Sequence, residues 1–449
     1  MSEQRRLRKR LAQRFRRVRA ATERLMAPLL PDDYRIQSMP TVSPPYWNLG
    51  HTSWFFTANL LRPNGRQPAG FDGFDYALNS YYEGLGPRLP RSRRGQVASP
   101  STEAVRAYRR AVDDAVARWI ADCPSEHLAD LQRIITIGCE HERQHQELFL
   151  TEILHIRWSA PPELRRGYLA RPDRAAGQPT RNPGGLRAVA FAGGETTLGH
   201  HGPTFVDEDC SPSFCWDNEL PAHQALVFDF ALANRLITNA EWCAFVDDGG
   251  YRDPLLWLQN GWDFVRRESI TAPLYWHRDG DTWLRFSLYG LGELDPHAPV
   301  CHVSFYEADA FCRWYAANHA DWTGARLPRE VEWEHAARVA GFDRDGANLL
   351  DDEHGRNAFD VEPARPDLEQ VQQLCGTAWE WTSSHYEPYP GYRAFDGALM
   401  EYNGKFMDNQ RVLRGGSFAT PRSSARVAYR NFWAPETRFQ VTGVRLLRE

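Results

Sequence analysis

Residues 141–148 read HERQHQEL. At face value this contains H-E-x-x-H, the pattern of zinc metallopeptidases, in which two histidines share a metal and the glutamate activates water. The spacing carries meaning before any metal is named. On a helix, positions i and i+4 project from one face, so His141 and His145 present their imidazoles to one point. Glu142 does not share that direction, because one residue turns the helix by about 100°. Two imidazoles alone make a weak site, and the best third donor is His51, in the aromatic stretch PPYWNLGHTSWFF. Three neutral imidazoles fill one face of a metal and leave the other open. That arrangement suits substrate and dioxygen on ferrous iron, or zinc with an open fourth position. The spacing does not choose between the two metals. His155 lies beyond the shared face and reads as a supporting or surface residue.

These donors need rigid elements to hold them. Apolar Ile134, Ile137, Leu148 and Ile153 form a stripe around the histidine pair with no proline, which predicts a helix over about 127–157. Leu7, Leu11, Phe15, Val18 and Leu25 predict another over about 3–28. SPPYW opens a third near 46–62, and SPSTEAV, with its Ser or Thr cap before an acidic residue, opens a fourth near 101–122. Four such helices predict an antiparallel bundle, which builds metal sites from facing helices. The long connection from about 63 to 100 carries NSYYEGLGPRLPRSRRG, and long loops in compact domains are often functional.

The texture changes twice further on. Residues 166–186 are rich in Pro, Gly and Arg and read as a linker. From 187, short apolar runs alternate with turns, interrupted by helical stretches near 238–247 and 305–319. The expected organisation is a metal-binding helical bundle over 1–165, a linker over 166–186 and an α+β domain over 187–449.

The totals narrow the function classes. A chain of 449 residues holds two or three domains with a sizeable core. Its 16 Trp, 17 Tyr and 23 Phe fit an aromatic core or ligand-lined walls. A net charge of −5 gives no general pull toward nucleic acid. No run approaches 18 uninterrupted apolar residues, so no membrane span is expected. MSEQRRLRKRLAQRFRRVR is basic but lacks the apolar core of a secretory signal, and reads as the solvated face of a first helix. Eight cysteines without a CxxC pair read as reduced thiols of a cytoplasmic protein.

W-x-L-G-H-T-S-W-F-F, N-S-Y-Y-E-x-x-G-P-R and H-E-R-Q-H-Q-E-L resemble the bundle of the ergothioneine-type sulfoxide synthases and their selenoneine-forming branch. Those enzymes join a DinB-like four-helix bundle to a C-type-lectin-like α+β domain similar to the formylglycine-generating enzyme. WDNELPAHQALVFDF, PVCHVSFYEADAFCRWYA, ARLPREVEWEHAAR, GTAWEWT, EYNGKFMDNQRVLRGGS and TGVRLLR follow in the order that second domain requires. The resemblance implies iron(II) on His51, His141 and His145, dioxygen as co-substrate, and hercynine as the imidazole substrate. It implies hercynine contacts from Gln144 and Asn431, and a proton or electron from Tyr81 and Tyr82, which match a tyrosine pair of one branch. A phenol with its ordinary pKa near 10 is a reasonable proton donor at neutral pH. RGGSFATPRSSARVAYRN contains no cysteine, which argues against formylglycine generation.

The other substrate would be a thiol or a selenosugar. Arg88, Arg91, Arg93 and Arg94 offer guanidinium forks for a carboxylated donor such as γ-glutamylcysteine, and equally donors for a sugar. Four departures from the sulfoxide-synthase pattern lean toward selenium: Asn48, Glu140, Thr377 and the Ile153-Leu154 pair. Two other classes stay open: a zinc-dependent DinB-type thiol transferase, and a lectin-like binding module carrying a relic bundle.

Overall fold

The computed structural model describes residues 3–171, 181–202, 214–351, 359–366 and 370–449. Residues 172–180, the middle of the expected linker, and Cys210 lie outside the described residues. The chain forms two compact units. The first contains the chain up to Tyr168 and takes back Ala394–Tyr402; the second holds the described residues from Leu169 to Gly202, Cys215–Arg393 and Asn403–Glu449.

The first unit is built on α1 (Glu3–Met26), α2 (Pro45–Phe56), a short α3 (Phe74–Leu78), α4 (Thr102–Asp122) and α5 (Leu128–Trp158). Local signals act as read. Pro45 occupies the first turn of α2, where its missing N–H costs nothing. Ser101 caps α4 by accepting the Ala104 N–H at 3.1 Å. Every residue of α2 is buried, so α2 is the central helix of the bundle, and a π-helical turn over Thr57–Leu61 follows it. Close approach of α5 to α2 depends on Gly138. A Cβ there would lie 2.4 Å from the Phe56 ring. Part of the basic face of α1 is used inside the unit, and Arg5, Arg6, Lys9, Arg16 and Arg24 stay exposed. Arg8 donates to the carbonyls of Ile120 and Cys123 at the end of α4, and Arg14 pairs with Glu140 at 2.8 Å.

The second unit is α+β. Its helices are α6 (Asn239–Asp247), α7 (Gln259–Arg267), α8 (Phe305–Asn318) and α9 (Glu330–Ala340). Thr238 with Glu241 and Ser304 with Glu307 form capping boxes at α6 and α8. The strands are β1 (Ala188–Phe191), β2 (Gly194–Leu198), β3 (His223–Val227), β4 (Phe230–Ala233), β5 (Trp276–Asp279), β6 (Thr282–Ser287), β7 (Gly290–Glu293), β8 (Trp379–His385), β9 (Arg411–Arg414), β10 (Asn431–Trp433), β11 (Thr442–Gly443) and β12 (Leu447–Arg448). They form small sheets, ordered β1-β4-β12, β10-β9-β8-β11, β5-β6-β7 and β2-β3. A core of Phe191, Phe230, Leu232, Trp333 and Leu447 joins the first sheet to α9.

Several motifs noticed in the sequence serve this scaffold. Glu380 of GTAWEWT accepts from Arg445 of TGVRLLR at 2.7 and 2.8 Å and from Trp333 Nε1 at 2.9 Å. Arg414 of RGGS is fully buried against Glu330 and Glu334 of α9. Buried charges survive only when paired and hydrogen-bonded, which explains why these residue types recur together.

Candidate metal centre

α2 and α5 bring the three histidines together. The ring centroids of His51, His141 and His145 stand 4.7 to 4.9 Å apart, and one nitrogen from each lies within 4.8 Å of the others. Among the described residues no other group of three His, Cys, Asp or Glu side chains is so placed. His51 Nε2 and His141 Nε2 are 3.2 Å apart.

Hydrogen bonds fix which nitrogens are free. His51 Nδ1 is 2.7 Å from the Leu78 carbonyl, which can only accept, so Nδ1 carries the proton and Nε2 keeps its lone pair. His145 Nδ1 is 2.9 Å from Asn48 Oδ1. The Asn48 amide is oriented by its own donation to Glu152 Oε2 at 2.7 Å, so its oxygen faces the ring. His145 Nε2 is therefore also bare. His141 Nδ1 meets no partner among the described residues, and its ring packs on Phe55 at 4.5 Å.

Burial first, then mutual repulsion, holds His51 and His145 well below the usual histidine range, and burial brings His141 down to about 3. All three are neutral at pH 7, the state a metal ligand requires. Nitrogen ligands bound at about 2.1 Å and near right angles sit roughly 3 Å apart, which matches the Nε2 pair. The donor set fits a divalent cation that accepts imidazole nitrogen.

Aromatic rings wall the cluster. Trp47 stacks on His51 at 4.5 Å, and Trp54 lies on its other side at 5.7 Å. Trp54 leads to Tyr82 at 5.6 Å, which stacks on Tyr81 at 4.7 Å. Tyr82 is fully buried, its hydroxyl meets no hydrogen-bonding partner among the described residues, and burial drives its pKa well above the usual phenol value.

The peptidase reading fails on Glu142. Its carboxylate is fully buried and accepts from Arg19 at 2.8 Å, Arg109 at 2.8 Å and Thr22 at 2.7 Å. Both oxygens are committed to α1 and α4, away from the α2 side that the histidines face. Burial raises its pKa, but Arg109 and Arg19 outweigh that and bring it to about 2. It is a bundle-locking anion and not a base beside a metal.

Gln144 accepts a hydrogen bond from the Tyr402 hydroxyl. Tyr402 also packs edge-on to His141 at 5.7 Å and to Tyr81 at 6.3 Å. Sequence reasoning missed it. The signal available was its place in EYNGKFM, a motif quoted without a role. Neighbouring Glu401 accepts the backbone N–H groups of Glu83 at 3.1 Å and Gly84 at 2.8 Å, so it grips the loop just after the tyrosine pair.

The arginines do not act as one open cluster. Arg94 is buried, stacked on Trp47 and bonded to Ser43 Oγ at 3.0 Å and Ser80 Oγ at 3.3 Å. Arg88 pairs with Glu83 at 2.7 Å, and Arg91 stands 4.0 Å from Glu152. Arg93 is exposed. Asn431 belongs to the second unit, where it opens β10 opposite Leu413 and accepts the Phe432 N–H at 2.8 Å. His155 bonds Ser38 Oγ at 2.7 Å and takes no part in the cluster.

Both halves have matches among known families. The sulfatase-modifying factor enzyme 1-like domain matches residues 175–449, and the DinB superfamily matches residues 14–149. The hercynine oxygenase of Mycolicibacterium thermoresistibile is 32% identical over 434 residues, 92% of this chain and 89% of that protein. The hercynine oxygenase of Mycobacterium tuberculosis is 33% identical over 455 residues, 97% of this chain and 98% of that one. The formylglycine-generating enzyme of Streptomyces coelicolor is 28% identical over 312 residues, 60% of this chain and 88% of that one. Among the described residues no helix is long and apolar enough to cross a membrane. Helical bundle, buried imidazole cluster and α+β domain thus occur in one order at this identity over nearly the full length, and the chain belongs to the hercynine oxygenase family of oxidative enzymes.

Proposed function

We propose that this enzyme uses dioxygen, on iron(II) held by His51, His141 and His145, to join a chalcogen donor to the imidazole ring of hercynine. The observation that carries it is the cluster of three neutral imidazoles, two buried and one half-buried, in a chain of this family. Iron(II), when bound, supplies dioxygen binding and the redox capacity that a carbon–chalcogen coupling requires. The chain's own residues bind, orient and protonate. Gln144 contacts hercynine. Tyr402 presets the Gln144 carbonyl and packs on a metal ligand, which fixes substrate against metal. Tyr82 and its partner Tyr81 serve as the proton source; burial holds Tyr82 well above the ordinary phenol value, so it yields its proton only to a strongly basic acceptor. The Trp47, Trp54 and Phe55 wall excludes water from the imidazoles. Arg88 and Arg91 hold the donor, while Arg94 shapes that loop from below through Trp47.

The donor we assign is a selenosugar. Asn48, Glu140, Thr377 and Ile153-Leu154 support this, as departures from the sulfoxide-synthase pattern. A second reading, a thiol donor such as γ-glutamylcysteine or cysteine, is favoured by the relatives named hercynine oxygenase. One competition decides. Iron(II)-loaded protein receives hercynine, air and equal amounts of cysteine, γ-glutamylcysteine and a selenosugar, and products are read by mass spectrometry. A selenium-bearing hercynine product is expected. A sulfoxide conjugate alone replaces the donor, and no conjugate from any donor overturns the function.

A further inference from the structure

Of the three imidazoles, His145 is held in the most elaborate way. Its Nδ1 proton goes to a side-chain amide instead of a backbone carbonyl. The amide of Asn48 is buried and uses both ends: Oδ1 toward His145 at 2.9 Å, and Nδ2 toward Glu152 Oε2 at 2.7 Å. Glu152, also buried, anchors its other oxygen on the Ser43 backbone N–H at 2.8 Å, with Arg91 4.0 Å away. A lone asparagine can flip and present its NH₂ group to the ring, which would force His145 into the tautomer whose bare nitrogen faces away from the cluster. A carboxylate fixed behind the amide forbids that flip, because it can only accept.

We propose that Glu152 is a positioning residue for the metal centre, acting through the Asn48 amide to hold the tautomer and direction of His145. The relay spans α5 to α2 and back: Glu152 and His145 lie on α5, Asn48 on α2. It locks the helix pair at the height of the cluster and makes His145 a stronger nitrogen donor, as carboxylates behind metal-bound histidines do. The inference rests on the reading that the three histidines hold a divalent metal, and is independent of which donor or substrate the enzyme takes.

The test uses the full chain stripped of metal, with cobalt(II) as the probe. Affinity is measured by chelator competition, and ligand geometry by the cobalt absorption spectrum. Wild type, Asn48→Leu, the isosteric Glu152→Gln and the double variant are compared, with thermal midpoints of the metal-free proteins alongside. Asn48→Leu should weaken cobalt binding about ten- to hundredfold and shift the spectrum, as outer ligand supports do elsewhere. Glu152→Gln should weaken it less, in the same direction. In the Asn48→Leu background, Glu152→Gln should add almost nothing, because its influence travels through the amide. Unchanged affinity and spectrum in Glu152→Gln, or full additivity in the double variant, overturns the relay. A wild-type chain that takes up no cobalt overturns the metal reading and the relay with it; normal cobalt binding with no hercynine product overturns only the function.

Discussion

The Tyr402 hydroxyl donates to Gln144 Oε1 across 258 residues of sequence, and the same ring lies edge-on to His141. A residue far along the chain thus completes the surroundings of a pair set on one helix. Tyr402→Phe keeps the ring and removes the bond. A net hydrogen bond is worth about 1 kcal/mol, so kcat/KM for hercynine should fall about fivefold. Steady-state kinetics with hercynine varied will check this; an unchanged value removes Tyr402 from substrate placement.

Glu401 holds the Glu83 and Gly84 amides. Glu401→Ala should free those two N–H groups and loosen the loop that follows Tyr81 and Tyr82. Hydrogen exchange at Glu83 and Gly84 should accelerate by tenfold or so, on the order of one charge-assisted bond. Exchange as slow as in the wild type would mean that other contacts hold the loop.

Glu142 makes the bundle acid-sensitive. Its pKa lies at about 2 in the fold against a reference value of 4.5. The carboxylate therefore contributes stability that is complete above pH 4.5 and is lost as pH falls toward 2, roughly 3 kcal/mol in all. Urea unfolding of the metal-free protein between pH 7 and 3 should show the midpoint falling below pH 5. Glu142→Gln should flatten that fall and cost about 3–5 kcal/mol at pH 7, since Arg19 and Arg109 lose their buried partner.

Gly138→Ala would press a methyl group into the Phe56 ring, which is fully buried and has little room to retreat. The loss should be about 1–3 kcal/mol by urea unfolding, with weaker metal uptake because α5 shifts against α2. Equal stability and equal uptake would mean that the ring moves freely.

Thr377 adopts φ 68°, a left-handed conformation that a β-branched residue avoids. Asparagine tolerates it, so Thr377→Asn should raise stability by about 1 kcal/mol. A lower melting temperature would show that the buried methyl group matters more than the backbone.

Much of the centre was legible because its donors obey local rules. His141 and His145 follow helix spacing, and His51 sits in a helix so rich in aromatic residues that a histidine there needs a reason. The four bundle helices announced themselves through stripes and caps. The turning away of Glu142 followed from the 100° step, but its partners Arg19 and Arg109 did not, since they lie on other helices. Tyr402 and Glu401 stayed hidden because they come from a loop whose destination depends on long-range packing. Arg94 reads in the sequence as a donor-binding guanidinium like its neighbours, and nothing local says that Trp47 covers it. Helix α7 is short and carries Gly261, so its spacing gives little helix signal, and α9 lies within ARLPREVEWEHAAR.

The return of Ala394–Tyr402 to the first unit has a consequence for the order of synthesis. The three imidazoles are all encoded before residue 146, whereas Tyr402 leaves the ribosome 257 residues after His145. At about 5–20 residues per second that is a delay of roughly 13–50 s. During that interval the chain carries the bundle's histidines but not the tyrosine that tops Gln144 or the glutamate that grips the loop. If the bundle folds in that interval, its imidazoles stand open to a metal ion before the last segment closes over them. A fragment ending after the bundle would resemble that interval made permanent: carrying all three histidines, and missing the two side chains that arrive late.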